Sequence, residues 1–416
     1  MFNSAQHPVN NWTAVCVGGI VGAACYLEND NARLAEIIAR GARSLTDYLA
    51  TFDEDGGSSE GPGYWSYGFG HFTVVAYLVE NRTGGRVRFL DGAQIQKIAR
   101  YPLRTLLSPS VYLNFSDCDR DVRLLAPHLA YLAHRLEIPE LSSLARSQAA
   151  THENYFTWGL RDFFWRPEPT NEPLRLARDD VFRGMQWLIA RYDPSDSDTL
   201  VLAAKGGHND EMHNQNDVGN VVVHLKGESL VADLGRGRYT RDYFGERRYE
   251  FLANSSLGHS VPVVNRQPQQ TGRAHAAALL GRDVSDQQSQ LQLELKAAYP
   301  ESADLASLQR TVTLHREPPT GWVSLADQVR FASQPGTFES VLTTFGSVEI
   351  ANGSVVIRGE RGSLRITYDP SLVTPRVEEI PDVDLAEGPT TVRRIVFPLR
   401  EPAWEATVEL KMWPGE

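Results

Sequence analysis

Cysteine is scarce. The chain has three in 416 residues, Cys16, Cys25 and Cys118, and no two of them form a CxxC spacing. That pattern argues against a disulfide framework and is compatible with a reducing compartment. An excess of positive charge is also missing. Lys and Arg number 41 against 52 Asp and Glu, for a net charge of −11. The balance disfavours nonspecific attraction to nucleic acid or to an anionic membrane surface. The N-terminal MFNSAQHPVNNW has no basic stretch leading into an apolar run, so no signal peptide is expected. The apolar run Thr13 to Leu27 is only 15 residues long, too short for a membrane span, and is expected to be a buried helix. No segment is polar or repetitive enough to argue for long disorder. Together these features predict a soluble, cytoplasmic protein.

What remains is an ordinary globular composition, 42% apolar and 22% charged, on a chain long enough for two domains. The first part reads as helices. In Ala32 to Phe52, Leu34, Ile37, Ile38, Leu45, Tyr48 and Leu49 recur at helical intervals. GHFTVVAYLVEN, DVRLLAPHLAYLAHRLE and LSSLARSQAATHENYFTWGLRDFFW repeat the pattern, separated by joints such as Asp53 to Gly63 and Ser108 to Asp117. The Pro-rich Arg166 to Leu174 reads as a break, and Ala177 to Tyr192 as one more helical piece. Beyond DPSDSD the period becomes two, with turns at Lys226-Gly227 and Glu360-Arg361-Gly362. The expected organisation is a helical domain over 1–192, built of antiparallel hairpins as in a bundle or toroid. An antiparallel β-sandwich over 193–416 follows it.

The densest chemistry lies in KGGHNDEMHNQNDVGNVVVHLKGESLVADLG, Lys205 to Gly235, with three histidines and five carboxylates. Histidine can act as general base or hydrogen-bond donor near neutral pH. The Arg-rich run Arg236 to Arg248 follows it and offers a local basic patch for an anionic ligand.

Asn10-Asn11-Trp12 near the start, Glu60-Gly-Pro-Gly-Tyr64-Trp, His213-Asn-Gln-Asn-Asp217-Val-Gly, Asp233-Leu-Gly and Tyr239-Thr occur in that order. The set resembles the heparinase II/III-like polysaccharide lyases. The resemblance is strongest over Gly206 to Ser260. It implies a (here shortened) α/α toroid followed by a β-sandwich, and β-elimination on a uronic-acid glycan. Such chemistry needs a neutraliser for the uronate carboxylate, a base for the C5 proton and an acid for the leaving oxygen.

The resemblance assigns carboxylate neutralisation to Asn11, with Asn10 as its rival and a helix cap as the plain alternative. It makes Tyr64 the catalytic tyrosine, with Tyr67 as the alternative, and leaves Glu60 either orienting the loop or binding substrate. His213 becomes the catalytic histidine and His208 a second sugar contact. Tyr239 lines the cleft, with Arg238 and Arg241 available to an anionic sugar. Asn11, Tyr64, His213 and Tyr239 are expected to converge on one groove. A structural zinc in such lyases would fall here on Gln215, Asp233 and His259. Glutamine is a poor zinc ligand, so weak or absent zinc is expected and no cofactor is required. Asp217 is assigned to supporting the motif turn, and His224 to the solvent face of its strand. A catalytically degenerate glycan-binding protein of the same fold is the alternative. A metal-dependent hydrolase lacks an open three-ligand site.

Overall fold

The computed structural model describes residues 9–148, 156–166 and 173–415. Most of the N-terminal segment, residues 149–155 of the last helical stretch and most of the Pro-rich break lie outside the described residues. The chain divides into two compact units, one of residues 1–104 and 121–175, the other of residues 105–120 and 176–416.

The first unit is helical. Its helices are α1 (Asn11–Leu27), α2 (Asn31–Leu49), α3 (Pro62–Arg82), α4 (Ala93–Arg104), α5 (Ala126–Arg135), α6 (Pro139–Ser147) and α7 (Phe156–Phe164). Asn10 caps α1 by accepting from the Trp12 amide at 2.9 Å, and Asp30 caps α2 through the Ala32 amide at 2.9 Å. α2 buries Leu34, Ile38, Leu45 and Tyr48, the face its periodicity predicts. α3 begins at Gly61-Pro62, with Gly61 at φ 88°, where a side chain would be strained, and proline at the first turn, where its missing N–H costs nothing. Gly68 lets α1 and α3 meet. A Cβ there would stand 2.9 Å from Asn11 Cβ and 2.5 Å from the Tyr48 hydroxyl. Among the described residues no helix is long and apolar enough to cross a membrane.

The second unit is built of strands, and every strand pairing in its sheets is antiparallel. A five-stranded sheet runs Asp179–Phe182, Trp187–Arg191, Val201–Lys205, Val221–Leu225, Glu228–Val231. An eight-stranded sheet is formed between Ala278 and Pro414, and a four-stranded one includes Phe338–Thr344 and Gly388–Pro398. One apolar core draws on all three, including Leu188, Val223, Leu293, Val312, Leu325, Leu342, Ile395 and Leu410. The turns read from sequence are present. Lys226 (φ 53°) and Gly227 (φ 80°) close the last hairpin of the five-stranded sheet.

Two expectations fail here. Ala177 to Tyr192 is no helix: Asp179–Phe182 and Trp187–Arg191 pair as a hairpin, and the chain returns to the strand-built unit at Leu176. Trp187–Arg191 is buried along its whole length. A strand covered on both faces shows an unbroken apolar run with no period of two, which sequence alone cannot separate from a buried helix. The same burial overturns the second. His224 lies on Val221–Leu225, is 1% exposed, and bonds Ser229 Oγ through Nδ1 at 3.1 Å.

Burial pushes the His224 imidazole down to about 3 from an ordinary 6.5. Below pH 6.5 the unfolded chain therefore binds a proton that the folded chain refuses. Stability falls as pH drops from 6.5 towards 3, by about 1.4 kcal/mol per pH unit for this group. Between pH 7 and 5, wild type is expected to lose more resistance to urea than His224→Gln. Equal losses would mean that His224 does not fold as the buried neutral form.

Candidate active site

In the helical unit, the two asparagines separate in role. Asn10 spends its side chain on the cap, whereas Asn11 is 1% exposed and turns inward. Asn11 Nδ2 donates to both oxygens of Glu60, at 3.3 and 3.2 Å, and Glu60 is itself buried. Glu60 thus orients the Asn11 amide, while Asn11 Oδ1 is buried and finds no hydrogen-bond donor among the described residues. Tyr64 occupies the first turn of α3 and is half-buried. Tyr67, one turn on, is partly exposed. Its ring meets Trp12 edge-on at 6.4 Å and His71 at 4.9 Å.

In the strand unit, the centre of the site is a residue that sequence reasoning missed. Asp117 comes from the segment 105–120, which the chain contributes from within its helical half. That segment is anchored by the Leu106 carbonyl, which accepts from Arg191, and by Phe115 against Trp187 at 5.2 Å. Asp117 has no exposed side-chain surface. Its Oδ2 faces His213 Nδ1 at 3.0 Å. Its Oδ1 accepts from the Tyr243 hydroxyl at 2.7 Å and from Gln215 Nε2 at 3.3 Å. Arg248 Nη2 donates to both oxygens, at 3.0 and 2.9 Å. Burial alone would raise the Asp117 pKa, but His213, Arg248 and Tyr243 together hold it below the usual carboxylate range.

His213 stands at φ 56° and Ser116 at φ 68°, both in the left-handed region. Ser116 Oγ donates to the His213 carbonyl at 2.9 Å. Two non-glycine residues held there side by side mark a place where the surroundings outweigh local preference, as functional sites often do.

Of the remaining candidates, Tyr239 is linked to this centre through Tyr243. Tyr239 packs its ring on Tyr243 at 5.1 Å and Phe244 at 4.7 Å, with the Arg236 guanidinium 4.5 Å above it. The basic run is largely neutralised within the fold. Arg236 pairs with Asp119, Arg247 with Asp242 and Glu250, and Arg248 with Asp117. Arg238 and Arg241 are exposed and make no ion pair among the described residues. His208 lies on a short strand paired with Gly272–Ala276, where burial and then Arg273 lower its pKa.

The metal candidates do not assemble as expected. Gln215 Nε2 is directed to Asp117 and to the Gly235 carbonyl at 3.1 Å. Asp217 joins Asp233 and His259 instead, with donor atoms within 4.8 Å of one another and all three residues buried. His259 Nε2 meets the Ala253 carbonyl at 3.0 Å, and its Nδ1 lies 3.4 Å from Asp233 Oδ2. These donors suit zinc in type, but an ammonium and an amide already serve them. The buried Lys205 ammonium sits 2.8 Å from Asp217 Oδ1, and Asn220 donates to Asp233 Oδ2 at 2.7 Å. Burial lowers the Lys205 pKa, but Asp217 and Glu211 outweigh it and keep the ammonium charged. A second cation beside that ammonium meets its repulsion, so the site does not fit a tightly held zinc.

Asn11, Glu60, Tyr64 and Tyr67 thus lie in one unit, and His208, His213, Tyr239, Arg238 and Arg241 in the other. Of the missed residues, Lys205, Tyr243 and Arg248 lie in the His-rich and Arg-rich stretches, but nothing local gave any of them a role of its own. Asp117 carried no signal, because a lone Asp gains meaning only from what surrounds it.

No protein-family model matches the chain, and no curated protein does. Solved structures do. The heparan sulfate lyase HepC of Pedobacter heparinus matches 97% of this chain at 13% identity with a TM-score of 0.71. A heparinase III matches 97% at 14% identity with a TM-score of 0.72. The Streptomyces coelicolor chondroitin AC lyase, solved with chondroitin sulphate, matches 92% at 11% identity with a TM-score of 0.52. The chain spans about 60% of the length of HepC and 59% of the other two. On this likeness, the chain has the fold of the heparinase-like polysaccharide lyases.

Proposed function

We propose that the protein is a lyase that cleaves a uronic-acid poly- or oligosaccharide by β-elimination. The observation that carries this reading is His213, held in left-handed backbone and oriented by a buried carboxylate, at the head of the His-Asn-Gln-Asn-Asp motif. In the reaction, a base removes the C5 proton, a C4–C5 double bond forms, and the C4–oxygen bond breaks. The leaving oxygen then takes a proton. Asn11 is assigned to the uronate carboxylate, His213 and Tyr64 to the proton transfers, and Tyr239 with Arg238 and Arg241 to binding the anionic sugar. Trp12 and Tyr67 offer an exposed aromatic pair for a sugar face.

A glycan-binding protein of the same fold is the second reading. It is favoured by the engagement of the Asn11 amide with Glu60 rather than with solvent. The two differ in one measurement. Incubation with a panel of uronic-acid oligosaccharides is expected to produce the ultraviolet absorbance of the conjugated C4–C5 double bond. Binding without that absorbance throughout the panel supports the second reading.

Zinc is expected to be weak or absent, because Lys205 already supplies a cation to Asp217. Elemental analysis should give well under one zinc per chain, and EDTA should leave the unfolding temperature unchanged. Stoichiometric zinc whose removal lowers that temperature would contradict this.

A further inference from the structure

We propose that Asp117 is a positioning residue for His213, fixing the imidazole in the form that carries its proton on Nδ1. The inference rests on the lyase reading of His213, but its decisive measurement needs no substrate. The argument starts from donors. Around Asp117, Arg248 Nη2 and Gln215 Nε2 can only donate, and the Tyr243 hydroxyl, whose single proton lies between Asp117 Oδ1 and Asn254 Oδ1, stands 2.7 Å from the first. A guanidinium reaching both oxygens and an amide N–H keep the buried carboxylate ionised, so it can only accept. The fourth contact, His213 Nδ1 at 3.0 Å, must then be an N–H. A neutral imidazole so held carries its lone pair on Nε2.

The surrounding residues hold Asp117 in turn. The Tyr243 hydroxyl also contacts Asn254 Oδ1 at 2.8 Å, and Arg248 donates to the Asn214 carbonyl, so the carboxylate cannot rotate without breaking several bonds. This assigns a purpose to Gln215, a poor zinc ligand. Its amide completes the shell of Asp117.

The arrangement predicts an inversion in Asp117→Asn. Tyr243, Gln215 and Arg248 all reach Oδ1, so the asparagine carbonyl should remain there. The new NH2 then replaces Oδ2 and faces His213 Nδ1. It donates, forcing the His213 proton onto Nε2.

Nitrogen NMR of histidine-labelled full-length protein reads the two forms directly, with His213→Gln identifying the signal. Wild type at a pH where the ring is neutral is expected to show the Nδ1–H form, and Asp117→Asn the Nε2–H form. With an active uronate substrate, Asp117→Asn should lower kcat by about a thousandfold and change KM little, because it puts the proton on the wrong nitrogen. Wild-type protein showing the Nε2–H form overturns the proposal, and needs no variant that folds. So does a folded Asp117→Asn that keeps the Nδ1–H form. If no uronate is cleaved at all, the lyase reading fails, whereas the two NMR arms still decide whether Asp117 sets the ring.

Discussion

Tyr64→Phe is expected to lower turnover by about a hundredfold or more while leaving substrate binding nearly intact, the size expected for losing general acid–base catalysis. The change removes one hydroxyl and keeps the ring, so the first turn of α3 retains its packing. A tyrosine phenol has an ordinary pKa near 10 and is therefore well placed to protonate a leaving oxygen at neutral pH. Tyr67→Phe, one turn along α3, serves as the control and should retain most activity. His213→Ala should match the loss at Tyr64. Asn11→Ala should impair turnover by removing support from the uronate carboxylate, and by leaving Glu60 without the Asn11 amide. The readout is initial rate by double-bond absorbance together with a separate binding measurement. Near-normal rates in Tyr64→Phe, with loss in Tyr67→Phe instead, would move the catalytic role to Tyr67.

The largest loss of stability is expected from Arg310→Met. Arg310 and Asp327 are both fully buried in the eight-stranded sheet and pair through two bonds of 2.7 and 2.8 Å. Arg310 Nη1 also donates to the carbonyls of Gly219, at 2.9 Å, and Ser260, at 2.6 Å. Those two carbonyls follow Asp217 and His259 in the chain, so one guanidinium ties the sheet to both ends of the motif region. Removing it leaves a buried carboxylate, held among the described residues only by Ser340 Oγ at 2.8 Å, and two carbonyls that lose a donor. A loss of about 3–5 kcal/mol in the strand-built unit is expected from breaking such a pair. Arg310→Met with Asp327→Leu should recover part of it, because the second change removes the stranded charge. Urea unfolding of the single and double variants checks both statements. A loss below about 1 kcal/mol in Arg310→Met would mean that the pair adds little beyond a surface ion pair.

The sequence by itself determined the order of the elements wherever one face of an element is buried. α2 shows this, with Leu34, Ile38, Leu45 and Tyr48 on one side, and so does Gln288–Glu294, whose residues alternate between buried and half-buried. Half-burial imposes a period, and a period can be read. It also determined the turn at Lys226-Gly227, because few residues tolerate left-handed backbone. The motif residues could be named, since the His213 and Tyr64 stretches are local patterns. Full burial erased the signal in Trp187–Arg191, which reads as a helix, and on His224, which reads as exposed. A strand covered on both faces needs no polar side.

Roles within the site were decided only by tertiary structure. Asn10 and Asn11 are the same residue type side by side, and they separated only when one met the Trp12 amide and the other met Glu60. Asp117 lies 96 positions from His213, and Lys205 twelve from Asp217. A carboxylate or an ammonium is bland in sequence because its effect depends on distance and burial. At about 3 Å inside a protein it fixes a proton or displaces a cation, whereas in solvent the same charge is screened.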